Sequence, residues 1–273
     1  MAQVLASDGV SLYAEAHGEG ECVILSPGYC QTHENFRPQV EPFVAAGYRV
    51  VLWDYRGHGR SQVPEDPAAY SMEQVVDDLG RVLDWAAPGQ PAVVGGLSFG
   101  GLASQHFALA HPERVSALLL LSSGPGFKNP RSQAGWEAQV GRIADRLERV
   151  GFEGFTQGRA GPSSIGLRPE LPAAQAAARA IEAQDPMGVA HFGRRVAGPA
   201  PSTLADLHRL DLPTLVLVGA KDNAYLRAAQ VMAAKLPRAT SVVIEGAGHV
   251  VNIEQAEELS RAVLEFLARR ADP

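Results

Sequence analysis

The sequence predicts an α/β protein with a mostly parallel sheet, on three observations. Short apolar runs alternate with segments of helical period from Ser11 to Leu121, and the alternation returns after Leu210. Both faces of the early runs are apolar, as in a sheet covered by helices on its two sides. Polar residues set among glycines follow several of these runs, where ligands meet open α/β sheets.

Taken in order, Ser11 to His17 alternates like an edge strand, and Cys22 to Ser26 is a compact apolar strand ending at Pro27-Gly28. Glu34 to Ala46 has helical period through Phe36, Val40 and Phe43, with Pro38 and Pro42 in its early turns. Gly47 ends it, and Tyr48 to Trp53 returns to strand. Ser71 caps a helix that buries Val75, Leu79, Val82 and Leu83 and runs to Trp85. A strand from Ala92, a helix from Phe99 to Ala110 and a strand from Val115 to Leu121 follow. The character then changes. Residues 124–210 hold no β-branched run, only helical segments around Trp136 to Val150, Pro172 to Glu182 and Pro186 to Arg195. An unstructured connection of that length is uncommon, so this stretch is expected to be a helical cap over the strand ends, with residues 1–123 and 211–273 as the core. Pro213 to Val218, Ala224 to Lys235, Thr240 to Ile244 and Glu254 to Arg269 complete the core as strand, helix, strand and helix.

The 273 residues suffice for one large α/β domain or two small ones, and 46% hydrophobic with 20% charged residues is an ordinary globular balance. The net charge is -6, and no basic run is interleaved with aromatics, so no nucleic-acid partner is expected. No stretch has the apolar length of a membrane span, and Met1 to Gly9 lacks the features of a secretory leader. Cys22 and Cys30 lie too close together for a stapled scaffold, so free thiols and a cytoplasmic location are expected.

The chemistry centres on Ser98 in G-G-L-S-F-G-G. A strand that turns straight into a helix there leaves no room for β-carbons at Gly96 and Gly100. It projects the serine hydroxyl and frees the Phe99 amide at the helix start. A serine hydroxyl needs a base, and the base needs an orienting acid. Asp222 and His249 each follow a predicted strand, giving serine, acid and histidine in the order this topology requires. His17, His33, His106 and His111 lack that context. The oxyanion formed by attack needs two donors, expected to be the backbone amides of Phe99 and Tyr29, the latter in the turn after Ser26. The Tyr29 phenol is either a further donor or a wall. Cys30 lacks an elbow and a base of its own and is expected to line the pocket. Asp54 and Arg56 are expected to fix a turn, and Asp77 and Asp78 to suit the N-terminal half of their helix. No histidine and carboxylate set has ligand spacing, so no metal is expected.

These motifs resemble the α/β-hydrolase superfamily. The elbow at Gly95 to Gly101, D-Y-R-G-H-G-R-S at Asp54 to Ser61, G-A-K-D-N at Gly219 to Asn223 and G-A-G-H at Gly246 to His249 carry the resemblance over nearly the whole chain. It implies an eight-stranded, mostly parallel sheet with a cap inserted after the sixth strand. Where that family commonly has H-G in the oxyanion loop, this chain has Pro27-Gly28, so the loop must be anchored differently. Serine at the elbow argues against epoxide hydrolases and haloalkane dehalogenases. The short D-P-M-G-V-A segment at Asp185 to Ala190 is similar to a cap segment of enol-lactonases.

The expected reaction is hydrolysis of a small or medium, partly apolar carboxylic ester through an acyl-enzyme on Ser98, with no cofactor. A lactonase or carbon–carbon bond hydrolase using the same triad is the alternative, and a non-catalytic small-ligand binding module is the alternative of another class. Phe127, Trp136, Phe155, Met187 and Phe192, with Cys30, are the candidate pocket residues; Phe152 is a further cap aromatic.

Overall fold

In a computed structural model, which describes residues 1–271, the apolar runs form one sheet. Its strands are β1 (Ala2–Leu5), β2 (Ser11–His17), β3 (Glu21–Ser26), β4 (Tyr48–Trp53), β5 (Ala92–Leu97), β6 (Val115–Leu121), β7 (Thr214–Gly219) and β8 (Ala239–Ile244). The order across the sheet is β1-β2-β4-β3-β5-β6-β7-β8. β2 pairs antiparallel with β1 and β4, and the other neighbours are parallel. Ser11–His17 is therefore not the edge strand expected of it. Ala2–Leu5 covers it, with Val4 opposite Leu12. Only Val4 of those four residues is buried, and one inward side chain leaves no period to detect.

The helices are α1 (Arg37–Ala45), α2 (Met72–Ala86), α3 (Phe99–Ala110), α4 (Pro130–Val150), α5 (Gly161–Ser164), α6 (Pro172–Glu182), α7 (Pro186–Phe192), α8 (Leu226–Lys235), α9 (Val251–Glu254) and α10 (Ala256–Ala271). α1 starts later than its periodicity suggests, because His33–Phe36 winds as a tighter 3-10 turn capped by Thr32. α4 starts earlier than Trp136: the Asn129 side chain accepts from the Arg131 amide at 2.9 Å and caps a polar, largely exposed first turn. The terminal helix expected from Glu254 is interrupted at Gln255, which separates α9 from α10.

Side chains alternate across the strands. Ile24, Val51, Val94 and Leu118 face one core with α2, α3 and α8, whereas Val23, Val50, Val93 and Leu119 face the other with α1 and α10. Both faces are thus buried, which accounts for runs without polar interruption. Between β6 and β7 the chain carries α4 to α7 and no strand. Among the described residues, no helix is long and apolar enough to cross a membrane.

Candidate active site

At the end of β5 the chain reverses into α3 through Ser98, whose φ of 55° and ψ of -115° cost roughly 1–3 kcal/mol for a residue with a β-carbon. The strain is held in place by neighbours on both sides. The Ser98 amide donates to Leu121 O at 2.9 Å, and the Ser123 hydroxyl donates to Ser98 O at 2.7 Å. A β-carbon on Gly96 or Gly100 would overlap the Ser26 carbonyl oxygen, so the elbow packs backbone against backbone at the end of β3.

Asp222 and His249 follow β7 and β8, and their loops are knitted together. The Lys221 amide donates to Ala247 O at 2.8 Å, and a β-carbon on Gly219 would strike the Gly248 carbonyl. His249 Nδ1 consequently lies 2.8 Å from Asp222 Oδ2, with that carboxylate buried. An acid on Nδ1 fixes the imidazole orientation and leaves Nε2 for a second partner. Among the described residues no hydrogen bond joins His249 to Ser98. Ser98 Oγ lies instead 3.4 Å from the hydroxyl of Tyr225, whose ring stacks on His249 with centroids 4.8 Å apart. Ser98, Asp222, Tyr225 and His249 line one cavity.

Across Ser98 from these groups lies the loop after β3. Neither the Tyr29 amide nor the Phe99 amide donates to any group among the described residues, and both residues border the cavity. The different anchoring required by Pro27-Gly28 is supplied by three side chains. The Tyr55 hydroxyl donates to Pro27 O at 3.0 Å, the Gly28 amide donates to Gln31 Oε1 at 2.9 Å, and Gln184 Nε2 donates to Cys30 O at 3.0 Å. Gln31 also donates to Ser164 O at 3.1 Å, so α5 and the residue preceding the α7 cap both touch the loop. The Tyr29 phenol is not aimed at Ser98: its hydroxyl donates to Val189 O at 3.4 Å. Burial pushes the Cys30 thiol well above its usual range, which leaves it an unreactive wall.

The cavity measures about 570 Å³, a size suited to a small or medium ligand. Phe99, Leu102, Trp136, Ile143 and Phe155 give it apolar walls, and Lys221 is the one lysine or arginine among its lining residues. Of the expected pocket residues, Cys30, Phe127, Trp136 and Phe155 line it. Met187 and Phe192 do not. Met187 is 42% exposed, and Phe192 is fully buried against Tyr55, His58 and Phe99. Phe152 is buried against Phe155, with ring centroids 5.1 Å apart. The Asp185 to Ala190 segment is a capped helix start, its Asp185 carboxylate accepting from the Met187 amide at 2.7 Å.

A family model described as the alpha/beta hydrolase fold matches residues 21–256. The chain belongs to the α/β-hydrolase family. It is 26% identical to a Bacillus subtilis protein bearing the name 2-succinyl-6-hydroxy-2,4-cyclohexadiene-1-carboxylate synthase, with 97% of each chain covered. It is 30% identical to a Variovorax paradoxus protein bearing the name carbamate hydrolase RutD, with 96% of this chain and 98% of that one covered. Among solved structures, a thermophilic esterase from Thermogutta terrifontis superposes with a TM-score of 0.85 at 27% identity, covering 98% of both chains.

Two features of this α/β-hydrolase chain escape a reading of its sequence. Glu254, expected only to open the terminal helix, is 3% exposed and clamps the histidine loop from below. Its carboxylate accepts from the Gly248 amide at 2.8 Å and the Val250 amide at 3.2 Å, on either side of His249. Asp78, expected only to suit the N-terminal half of its helix, is fully buried and meets the equally buried Arg56 through two hydrogen bonds of 2.7 Å. Asp54 does hold its turn, accepting from the His33 and Arg60 amides at 2.7 and 3.0 Å.

The same turn carries a pH-sensitive group. His58 is buried among Tyr29, Tyr55 and Phe192, its Nε2 has no partner among the described residues, and burial lowers its pKa from 6.5 to about 4. Because the folded state resists a proton that the unfolded chain accepts, stability is full above pH 6.5 and falls as pH drops toward 4, by about 3 kcal/mol from this residue. Urea unfolding of His58→Phe at a series of pH values is expected to show a correspondingly shallower acid-side decline than the parent. An unchanged slope would mean that His58 is not the group responsible.

Proposed function

We propose that this chain hydrolyses neutral carboxylic esters of small or medium size through an acyl-enzyme on Ser98. The observation that carries the reading is the arrangement around that serine: a strained elbow, two unengaged amides on one side, and an Asp222–His249 pair at 2.8 Å on the other. Rotation of the Ser98 side chain away from Tyr225 brings Oγ to His249 Nε2, which takes its proton as Oγ bonds to the ester carbonyl carbon. The carbonyl oxygen then carries the charge, and the amides of Tyr29 and Phe99 meet it. The imidazolium returns the proton to the departing alkoxide, and Asp222 steadies the positive ring without becoming protonated. Water activated by the same imidazole releases the acid and restores Ser98.

The choice of a neutral ester is supported by the cavity wall. A ligand carrying several carboxylates, such as a cyclohexadiene carboxylate with a succinyl arm, would meet Lys221 as its one lysine or arginine among the lining residues. Apolar walls around the nucleophile suit an alkyl or aryl group instead.

The test is a panel at fixed concentration: acetate to decanoate esters, a neutral lactone, a carbamate ester and a dienone acid, each with Ser98→Ala as blank. Ser98-dependent turnover greatest on short and medium neutral esters is the expected result. Faster turnover of the dienone acid or carbamate than of every ester would overturn the substrate assignment while leaving the nucleophile in place. Preference for the lactone would make the chain a lactonase.

A further inference from the structure

Tyr225 has a hydroxyl that packing does not explain. The residue follows Asp222 by three positions, and the turn between them is closed by the Tyr225 amide donating to Asp222 O at 3.0 Å. Its ring stacks on the imidazole of His249, with an interplanar angle of 29°. A phenylalanine would stack equally well. The hydroxyl nevertheless points at the reacting atom, and Ser98 Oγ, 3.4 Å away, is its hydrogen-bond partner among the described residues. Burial keeps the phenol protonated through the neutral range, so it is a donor at a place where charge changes hands.

The sheet order decides what it would donate to. Ser98 ends β5; the free amides belong to the loop after β3 and to the helix following β5, whereas Tyr225 and His249 follow β7 and β8 on the opposite side. A tetrahedral carbon on Ser98 whose oxyanion is turned toward the Tyr29 and Phe99 amides therefore directs its leaving oxygen toward the β7 and β8 side. Once Oγ has left Tyr225 to attack, the phenol has lost its partner and that oxygen takes its place.

We infer that Tyr225 is a catalytic residue that donates a hydrogen bond to the leaving-group oxygen as the tetrahedral intermediate collapses. This rests on the acyl-transfer reading of Ser98. In the step, the bond from the acyl carbon to the leaving oxygen breaks, and its electron pair stays on that oxygen. The proton comes from His249 Nε2, and the oxyanion lone pair re-forms the carbonyl. Tyr225 keeps its own proton throughout. Its contribution grows with the negative charge on the departing oxygen, so it matters most for simple alkanols and least for nitrophenols.

The experiment compares the parent with Tyr225→Phe on acetate esters whose leaving groups run from nitrophenol through trifluoroethanol to ethanol, using kcat/KM, which reports acylation. The expected result is a loss of about 10- to 100-fold for the ethyl ester against less than about threefold for the nitrophenyl ester, hence a steeper dependence on leaving-group acidity. The thermal midpoint is followed in the same samples, since deletion of one oxygen with the ring retained should preserve it. Equal losses across the series, or none, would overturn the role of Tyr225 while the acyl-transfer reading survives. Absence of Ser98-dependent turnover in the parent would remove both. A leaving-group dependence that steepens in Tyr225→Phe is not produced by a merely structural role.

Discussion

Ser98→Ala is expected to lower kcat/KM on every accepted ester by about four to six orders of magnitude while the protein folds as before. The two halves of that expectation have separate causes. On the proposed mechanism the nucleophile is removed outright, and the unengaged Tyr29 and Phe99 amides still polarise a carbonyl for water, which sets a small residual rate. The backbone strain is unchanged, because alanine carries the same β-carbon at φ 55° that serine does. Denaturant midpoints of parent and variant should therefore coincide. The double variant with His249→Ala should be no slower than Ser98→Ala alone, since groups that act as one unit do not add. Parent-level turnover in Ser98→Ala would sink the whole mechanism.

Asp78→Ala is expected to destabilise the protein by about 3–5 kcal/mol, a large part of the roughly 5–15 kcal/mol that holds a typical domain together. The guanidinium of Arg56 is 1% exposed and would lose both hydrogen bonds of 2.7 Å to Asp78. Asp8, at 2.7 Å but one third exposed, and the Ala69 carbonyl at 2.6 Å remain, and neither replaces a buried countercharge. Converting Arg56 to methionine and Asp78 to leucine together should recover most of the loss, because the desolvation cost of the pair disappears with the pair. Urea unfolding of the three proteins distinguishes the outcomes. A single variant within 1 kcal/mol of the parent would show that the remaining partners suffice.

The centre of the sheet was legible because β3, β5, β6 and β7 bury both faces, so each appears as a nearly unbroken apolar run. The four residues of Ala2–Leu5 lacked such a run and were missed for that reason. The dispositions of Ser98, Asp222 and His249 could be anticipated from chain order and strand ends, which are local marks. What holds them could not. Glu254 reaches back to Gly248 and Val250, Gln184 spans 154 positions to Cys30, and Arg56 finds Asp78 across 22. Such pairings depend on which loops the fold brings together, and nothing in the spacing of these residues announces them. Phe192 was misplaced for a different reason. Helical period marks one face of Pro186–Phe192 as apolar, but only packing shows that Phe192 faces Tyr55 and Phe99 rather than the cavity.

The anchoring of the loop after β3 bears on how a chain of this kind can change over generations. Segments inserted between β6 and β7 look like exchangeable modules, since they can be cut from the core at two points. Here Ser164 and Gln184 lie within that insertion, yet they brace Gln31 and Cys30, the neighbours of the Tyr29 amide. A transplanted segment that offers neither contact would alter the substrate compartment and loosen the donor loop in the same event. On the proposed function, new substrates are therefore reached more easily by point substitution along α4, at the cavity-lining Trp136 or Ile143, than by replacing the whole segment between β6 and β7.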